Sequence, residues 1–319
     1  MSRRVIGLDA GGTKLLAGVV DEAGAVLHRA VHPWPHGATR AEILALFEHA
    51  AAEARAAVGE LASIGVGLPA TMDLVSGVAV GCRHLPIAGF AFRDWFASAT
   101  GLSVVVDNDA TLALLAEHDR GAARGVSDAV MLTIGTGIGG GLMTAGRLIR
   151  GARGAAGEPG HMTIDADGPE CPGDCPGRGC LEAFVSGPAL AAMGREYAAI
   201  GPDYNLGRML AEKGELTAAD VVHAARAGDP GAYEALQRMG EKLGVGLASL
   251  LNLLDPEIVV IGGGLGSDAG ALLLEPAERV ARARALDPGA SAAQFVVAEL
   301  GEDAGMLGAA MLALDGGDA

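Results

Sequence analysis

Aromatic side chains are scarce in this sequence: they make up 3 % of 319 residues. Any large core must therefore be aliphatic, built from Ala, Val, Leu and Ile, within a hydrophobic fraction of 50 %. Positive charge is also in short supply, with 23 Lys and Arg against 39 Asp and Glu and a formal net charge of −16. A field of that sign repels nucleic acid and anionic membrane, so neither is an expected partner. Any anionic ligand has to be held by local backbone N–H groups instead. Long apolar runs are missing as well. The run after Arg3 and Arg4 stops at Asp9, too short for a signal peptide, and none approaches a membrane span. Cysteines number only four. With no export signal, they are expected to stay reduced in a cytoplasmic protein, available for metal.

What is present is a dense local cluster. Three of the four cysteines, Cys171, Cys175 and Cys180, fall within ten positions, and His161 lies just upstream. One imidazole and three thiolates complete a tetrahedral set for zinc, and a closed set of four leaves no position for a reactive water, so the ion is expected to be structural. The Pro-Gly and Arg-Gly steps between the cysteines make tight turns that let the sulfurs converge. Glu158 and Glu182 flank the cluster. Pro159 and Gly160 argue against a helix between Glu158 and His161, so a turn is expected there. Fixing His161 and Cys180 on one ion brings two carboxylates near a common point, where paired acceptors suit the hydroxyls of a neutral polyol. The other ring nitrogen of His161 can hold a further partner.

Taken in order, the chain opens with a strand over Arg4–Leu8 that ends in Asp9-Ala10-Gly11-Gly12-Thr13-Lys14. Strands over Leu15–Val20 and Val26–Val31 follow. The acidic glycine loop thus joins two strands of a meander, which excludes the usual dinucleotide fingerprint. Gly11 and Gly12 allow a phosphate close to the backbone, Thr13 offers a hydroxyl, and Asp9 suits a magnesium ion or its waters. Taken alone, the loop also reads as an ordinary hairpin turn. A helix over Ala41–Val58 and a strand over Ile64–Leu68 come next, and residues 70–96 read mostly as loop. A strand over Ser103–Val106 runs into Asp107-Asn108-Asp109 and a helix over Thr111–Gly121. Asn108 and Asp109 therefore sit at the carboxyl end of a strand, where α/β folds bind ligands; capping the helix is the equal alternative for Asp109.

A strand over Asp128–Ile134 leads into Gly135-Thr136-Gly137, and a strand resumes at Leu142. The plan repeats that of residues 9–20 and suggests two related lobes, each presenting a phosphate-binding turn. Helices are expected over Pro188–Ala199, Thr217–Ala227 and Pro230–Leu254, with Thr217 and Asp229 as N-caps. A strand over Glu257–Ile261 ends in Gly262-Gly263-Gly264, either a bare surface for adenine and ribose or a plain strand-to-helix turn. A helix over Gly270–Leu286, a strand over Gln294–Ala298 and a helix over Ala304–Leu314 complete the chain.

The ordered set Asp-x-Gly-Gly-Thr-Lys, Asn-Asp, Gly-Thr-Gly-Ile-Gly-Gly-Gly, Glu-x-Gly-His, Gly-Cys-x-Glu and Val-Ile-Gly-Gly-Gly resembles the ROK family of bacterial sugar kinases and repressors. The resemblance runs from about Val5 to Gly308. It implies a two-lobed α/β, ribonuclease-H-like fold of the actin-like ATPase and hexokinase kind, carrying a zinc-bound loop. Residues 1–112, joined by a C-terminal helix at about 303–319, would form one lobe and residues 113–302 the other. It implies ATP-dependent phosphorylation of a hexose, with Asp109 as general base. A carboxylate within hydrogen-bond reach can take the proton that a hydroxyl loses on attacking a γ-phosphate. Asn108, Asp109, Glu158, His161 and Glu182 would contact the sugar. Asp9, Gly11, Gly12, Thr13, Lys14, Gly135, Thr136, Gly137, Gly262, Gly263 and Gly264 would hold ATP and Mg2+. His161, Cys171, Cys175 and Cys180 would hold Zn2+.

Two departures stand out. The commoner family spacing is Cys-x-Cys, whereas three residues separate Cys171 from Cys175. Many family glucokinases have Asn-Leu-Pro where this chain has His84-Leu85-Pro86, which leaves His84 either near the sugar or on the surface. Glucose is the expected substrate, with mannose, N-acetylmannosamine, N-acetylglucosamine, fructose and allose as alternatives. A sugar-binding protein without catalysis is a weaker one. A repressor is not expected, because only eight residues precede Asp9. A homodimer is the implied assembly.

Overall fold

The computed structural model describes residues 3–35, 37–82, 85–173 and 175–317. Arg83 and His84 lie outside the described residues. The chain divides into two compact units. One comprises Met1–Arg124, Arg147–Gly157 and Glu302–Ala319, and the other Gly125–Gly146 and Glu158–Gly301. Compared with the division expected at residues 112 and 302, the whole of the helix after Asn108 and a short segment near residue 150 group with the first unit.

In the first unit, β1 (Arg4–Ala10), β2 (Lys14–Asp21) and β3 (Val26–Pro33) form the expected antiparallel meander. β4 (Ser63–Leu68) and β7 (Ser103–Asn108) extend it in parallel, giving the order β3-β2-β1-β4-β7. β1 and β4 read as nearly unbroken apolar runs because both faces are covered. Strand alternation sends Ile6, Leu8, Ile64 and Val66 to a core shared with Phe47 of α1 (Arg40–Val58). Gly7 and Gly65, between them in sequence, take the other face. There α12 (Ala304–Leu314) lies so close that a Cβ on Gly65 would overlap the Ala309 carbonyl oxygen. Nearly every residue of α12 is buried, which explains a helix that is apolar all round. α1 starts on a reciprocal capping box between Thr39 and Glu42.

Residues 70–96, expected as mostly loop, are more ordered than that. They hold a hairpin of β5 (Ala70–Asp73) and β6 (Val78–Cys82), then the start of α2 (Phe92–Thr100). The apolar residues come in pieces too short to show a period, yet Met72, Ala79, Ile87, Phe92 and Phe96 are all fully or almost fully buried. Phe92 packs edge-on to Phe47 with ring centroids 4.8 Å apart. Such a pair adds about 0.5–1.5 kcal/mol beyond its buried area. Tertiary burial, not local pattern, orders this stretch. α3 (Asp109–Arg120) begins two residues earlier than the pattern suggests.

In the second unit β8 (Ala129–Ile134) and β9 (Ile138–Thr144) are antiparallel; β10 (Arg147–Leu148) then opens the short segment that groups with the first unit. β11 (Ile258–Gly262) and β12 (Gln294–Val297) add in parallel, so the order β9-β8-β11-β12 repeats that of β2-β1-β4-β7. The internal repeat expected from the two glycine turns is therefore a repeat of sheet topology. After α4 (Leu181–Phe184), the helices α5 (Gly187–Ile200), α6 (Asn205–Lys213), α7 (Ala218–Arg226) and α8 (Pro230–Leu254) follow. Thr217 and Asp229 cap α7 and α8 as expected. α6 was not anticipated. The helix expected over Gly270–Leu286 is α10 (Ala271–Arg284); an unexpected one, α9 (Gly263–Ala269), precedes it, and the short α11 (Gly289–Ala292) follows. Three glycines in α9 gave it low helix propensity and hid it. Among the described residues no helix is long and apolar enough to cross a membrane.

Candidate active site

In the first unit, parallel pairing of β1, β4 and β7 sets Asp9 opposite Gly67, and Gly67 opposite Asp107. Gly67 has no side chain to keep its neighbours apart: a Cβ there would lie 3.4 Å from both Asp9 Oδ1 and the Asp109 Cα. Asp9, near the end of β1, and Asp109, just past the end of β7, thus face each other across the end of β4, the strand between them. Asp9 Oδ1 is shielded from water and accepts no hydrogen bond among the described residues. Burial first, then the charge of Asp109, push the Asp9 carboxyl up to about 8, against a smaller opposite pull from Lys14. A buried oxygen without a partner, in a pair of like charges, is a fitting ligand for a divalent cation.

Capping falls to Asn108, not Asp109. The Asn108 Oδ1 accepts from Thr111 N at 3.0 Å, and Asp109 is the first helical residue. Asp109 Oδ1 accepts from Ala110 N at 2.8 Å, which fixes the carboxylate orientation. Within the loop, the space beside Gly12 is open, and a Cβ on Gly11 would touch only the Lys14 carbonyl at 3.5 Å. Thr13 is solvent-exposed. Lys14 turns to Glu302, Nζ to Oε2 at 2.8 Å.

In the second unit Gly135, Thr136 and Gly264 line an open cavity of about 440 Å3, with Pro188 and Leu265 as apolar wall and Asp268 as a polar edge. Such a lining suits a flat base with a polar edge. The three glycines after β11 divide their roles. Gly262 is buried, with Met131 and Ala298 where its Cβ would stand. Gly263, at φ +78°, makes the strand-to-helix turn, and Gly264 faces the cavity. Gly137 does not line the cavity. A Cβ on it would overlap Glu182 Oε2, which accepts from Ile138 N at 2.8 Å.

That glutamate links the glycine turn to the cysteine loop. The sulfurs of Cys171, Cys175 and Cys180 and one nitrogen of His161 lie within 4.8 Å of one another. The Cys175 and Cys180 sulfurs are 3.7 Å apart, and Cys171 Sγ is 3.5 Å from His161 Nδ1. A disulfide needs about 2.05 Å. A tetrahedral zinc ion with bonds of about 2.3 Å to sulfur and about 2.05 Å to nitrogen has edges of about 3.75 and 3.55 Å, close to both distances. Cluster and geometry are thus compatible with a zinc site. The wider Cys171–Cys175 loop does not spoil it, since Cys171 N is held by the Gly177 carbonyl at 3.0 Å. Between Glu158 and His161 there is a single 3₁₀ turn, tighter than the plain turn expected, with His161 N donating to the Glu158 carbonyl at 3.1 Å. A Cβ on Gly173 would sit 2.6 Å from His161 Cε1 and 2.9 Å from Glu182 Oε1, so histidine and glutamate share one small space. Crowding by the protein raises the Glu158 carboxyl, His161 pulls it back, and Glu182 raises it further. Glu158 stays exposed to water, which damps the size of that shift.

The sequence matches the ROK family over residues 5–316. The chain belongs to the ROK family. It is 33 % identical to a glucokinase from Halalkalibacterium halodurans over 97 % of this chain and 94 % of that one. It is 31 % identical to an N-acetylmannosamine kinase from Shigella flexneri over 97 % and 98 %. A ROK family glucokinase from Streptomyces griseus, solved in complex with glucose and AMPPNP, superposes with a TM-score of 0.86 at 33 % identity, covering 98 % of this chain and 99 % of that one. The fold is the α/β two-lobed fold of ROK sugar kinases.

Two residues of this ROK chain carry weight that sequence reasoning missed. Trp34 Nε1 donates to the Gly11 carbonyl at 2.7 Å and so holds the Asp9 loop against the aromatic core around Phe47. Arg150 Nε donates to Asp107 Oδ2 at 2.7 Å, pairing a buried carboxylate just before Asn108. Neither carries a local motif. The lone hint was the run of three acid or amide residues from Asp107 to Asp109, two more than a cap needs.

Proposed function

We propose that this ROK protein is an ATP-dependent hexose kinase that converts glucose to glucose 6-phosphate. The observation that carries the reading is likeness along the whole chain to glucokinases, one of them solved with glucose and an ATP analogue. The local chemistry supports it. Asp109 is the general base, accepting the proton of the attacking hydroxyl; its carboxylate is oriented by Ala110 N. Asn108 spends its oxygen on the helix cap, which turns its amide donors to the sugar. Glu158, His161 and Glu182 accept from the other hydroxyls. Asp9 and the Gly11–Thr13 backbone serve the phosphates, with Gly135, Thr136 and Gly264 beside the base and ribose. Mg2+ would be held by Asp9 or through its waters and supplies charge neutralisation on the phosphates. Zn2+ would be held by His161, Cys171, Cys175 and Cys180 and fixes the loop that positions Glu182. The protein works in the cytoplasm, where its thiols stay reduced, and forms the homodimer that the family resemblance implies.

A panel of hexoses in a coupled ADP-release assay tests the reading. The expected result is a higher kcat/KM for glucose than for mannose, fructose, allose, N-acetylglucosamine or N-acetylmannosamine. The likeness to the N-acetylmannosamine kinase makes that sugar the main competitor. A higher value for it would overturn the substrate and keep the kinase. Sugar binding without ADP release from any member would overturn the kinase itself and leave a sugar-binding protein.

A further inference from the structure

A second group of metal-binding side chains lies in the first unit. His28 and His32 project from β3, four residues apart and so on one face of the strand. His49 and Glu53 project from α1 at helical spacing, also on one face. The four converge. Glu53 Oε2 is 3.7 Å from His32 Nε2 and 3.7 Å from His49 Nε2, and its Oε1 is 3.3 Å from His28 Nε2. One ligand atom from each of His32, His49 and Glu53 fits within a 4.8 Å span. The rings of His32 and His49 meet edge-on, with centroids 5.5 Å apart.

Chance accumulation explains this poorly. Imidazole nitrogens buried without a hydrogen bond are costly. Yet the Nε2 atoms of both His28 and His32 are shielded from water and hydrogen-bond to nothing among the described residues. The His32 side chain is only 11 % exposed. Two imidazoles and a carboxylate, with a third imidazole beside them, are the donor set of a borderline transition ion such as zinc, cobalt or nickel, and a poor one for magnesium or calcium.

We propose that His32, His49 and Glu53 form a second transition-metal site that takes Zn2+ or a similar divalent ion and ties β3 to α1. His28 Nε2 stands 3.3 Å from the other oxygen of Glu53 without a hydrogen bond, and would turn onto that oxygen and orient it once the ion is bound. Bonds of about 2.1 Å put tetrahedral edges at about 3.4 Å, so the two edges at Glu53 close by about 0.3 Å when the ion enters. The remaining position is open to water, because His49 lies on the solvent side. The site uses no residue assigned to sugar, nucleotide or the cysteine loop. Its role is to staple the edge strand of the first sheet to the helix that carries Phe47.

The test is a Co2+ titration of the metal-depleted full-length protein, followed by absorption. Cobalt on the cysteine cluster shows intense thiolate charge transfer, and cobalt on imidazoles and carboxylate shows only weak d–d bands. Two phases are expected in the parent protein, one of each kind. His49→Ala should lose the weak phase alone and keep turnover, because His49 is largely exposed and the fold does not depend on it. Cys175→Ser should lose the intense phase alone. His28→Ala should weaken the second phase about 10–100-fold. Metal analysis of protein purified with zinc present gives an independent count, two ions per chain in the parent and one in His49→Ala. A single thiolate phase in the parent, or equal metal in parent and His49→Ala, would overturn the proposal.

Discussion

The two units share one sheet topology and differ in what stands at its strand ends. In the first, β1 closes on Asp9, a buried acid beside a second acid. In the second, the matching end of β8 is Thr133, uncharged, and the turn after it is tied through Ile138 N to Glu182. The cores differ in the same sense. Both tryptophans and four of the six phenylalanines fall in the first unit, where Trp95 stacks on Phe96 and both Phe92 and Phe96 meet Phe47 edge-on. The second unit's core is aliphatic, with Leu and Val around α8. One topology therefore supports two chemistries. A stiff aromatic core braces a loop that must keep charges in place, through Trp34 on Gly11. In the other unit a cysteine loop does the bracing. The difference teaches that the acids at the strand ends belong to one unit, while the strand ends of the other offer backbone, space and a pinned loop.

The sharpest way to break the comparison is at the acids. Asp109→Asn should lower kcat by about 10²–10⁴-fold, since a positioned base contributes that much. Glucose binding, read by calorimetric titration, should stay within a few-fold. Near-normal turnover would remove the base from the first unit. The corresponding blow to the second unit is Cys175→Ser. It should release the metal, let the Glu182 loop shift, and lower kcat/KM about 10²-fold through misplacement. Metal content unchanged in that variant would show that the cysteine is no ligand.

How much of this was legible in the sequence follows from distance along the chain. The strand–glycine–strand plan, the cysteine set and the Thr217 and Asp229 caps are local patterns, and the structure has them. What pattern could not show are contacts between distant segments. Trp34 reaches Gly11 from 23 residues away, Arg150 reaches Asp107 from 43, and Glu182 reaches Ile138 from 44. None leaves a periodic trace. The same holds for β5, β6 and α2, whose short apolar pieces gain order by burial in the first unit's core. Asp109 was open between cap and site on position alone, because Asp is a common helix cap. Geometry gave the cap to Asn108.

Acid strength offers a quantitative contrast. Asp9 has a folded-state value of about 8 against an ordinary 3.8. A raised value means the folded protein holds the proton more tightly than the unfolded chain does. That stabilisation is complete below about pH 4 and is lost as pH rises through about 8. Asp9→Asn removes the ionisation. Without divalent cation, the variant should be more stable than the parent at pH 8 by a few kcal/mol, with the gap shrinking toward pH 5. Urea melts at both pH values check it. Added Mg2+ should raise the parent's midpoint at pH 8 and leave the variant's unchanged, while turnover falls in the variant. Thr133→Asn, the matching change in the second unit, should show no such pH-dependent gain. In that unit Gly137→Ala is the informative change. Its Cβ overlaps the Glu182 carboxylate and disturbs the bond to Ile138 N, at a cost of about 1–3 kcal/mol in thermal unfolding.

The smallest effect concerns Lys14, the one cation of the first loop. Its ammonium is engaged by Glu302, and both side chains are substantially open to water. An exposed pair of this kind contributes roughly 0–1 kcal/mol. Lys14→Met should therefore leave the melting midpoint nearly unchanged and raise KM for ATP by less than about threefold, which corresponds to the same energy range. Glu302→Gln separates the two roles left to Lys14. Released from its partner, the ammonium is nearer the phosphates in effect if KM for ATP falls, and purely a surface charge if it does not. A large loss of ATP affinity in Lys14→Met would instead mean that the first loop holds phosphate by charge as well as by backbone. The contrast between the charged strand end of the first unit and the uncharged one of the second would then be stronger than the strand-end acids alone make it.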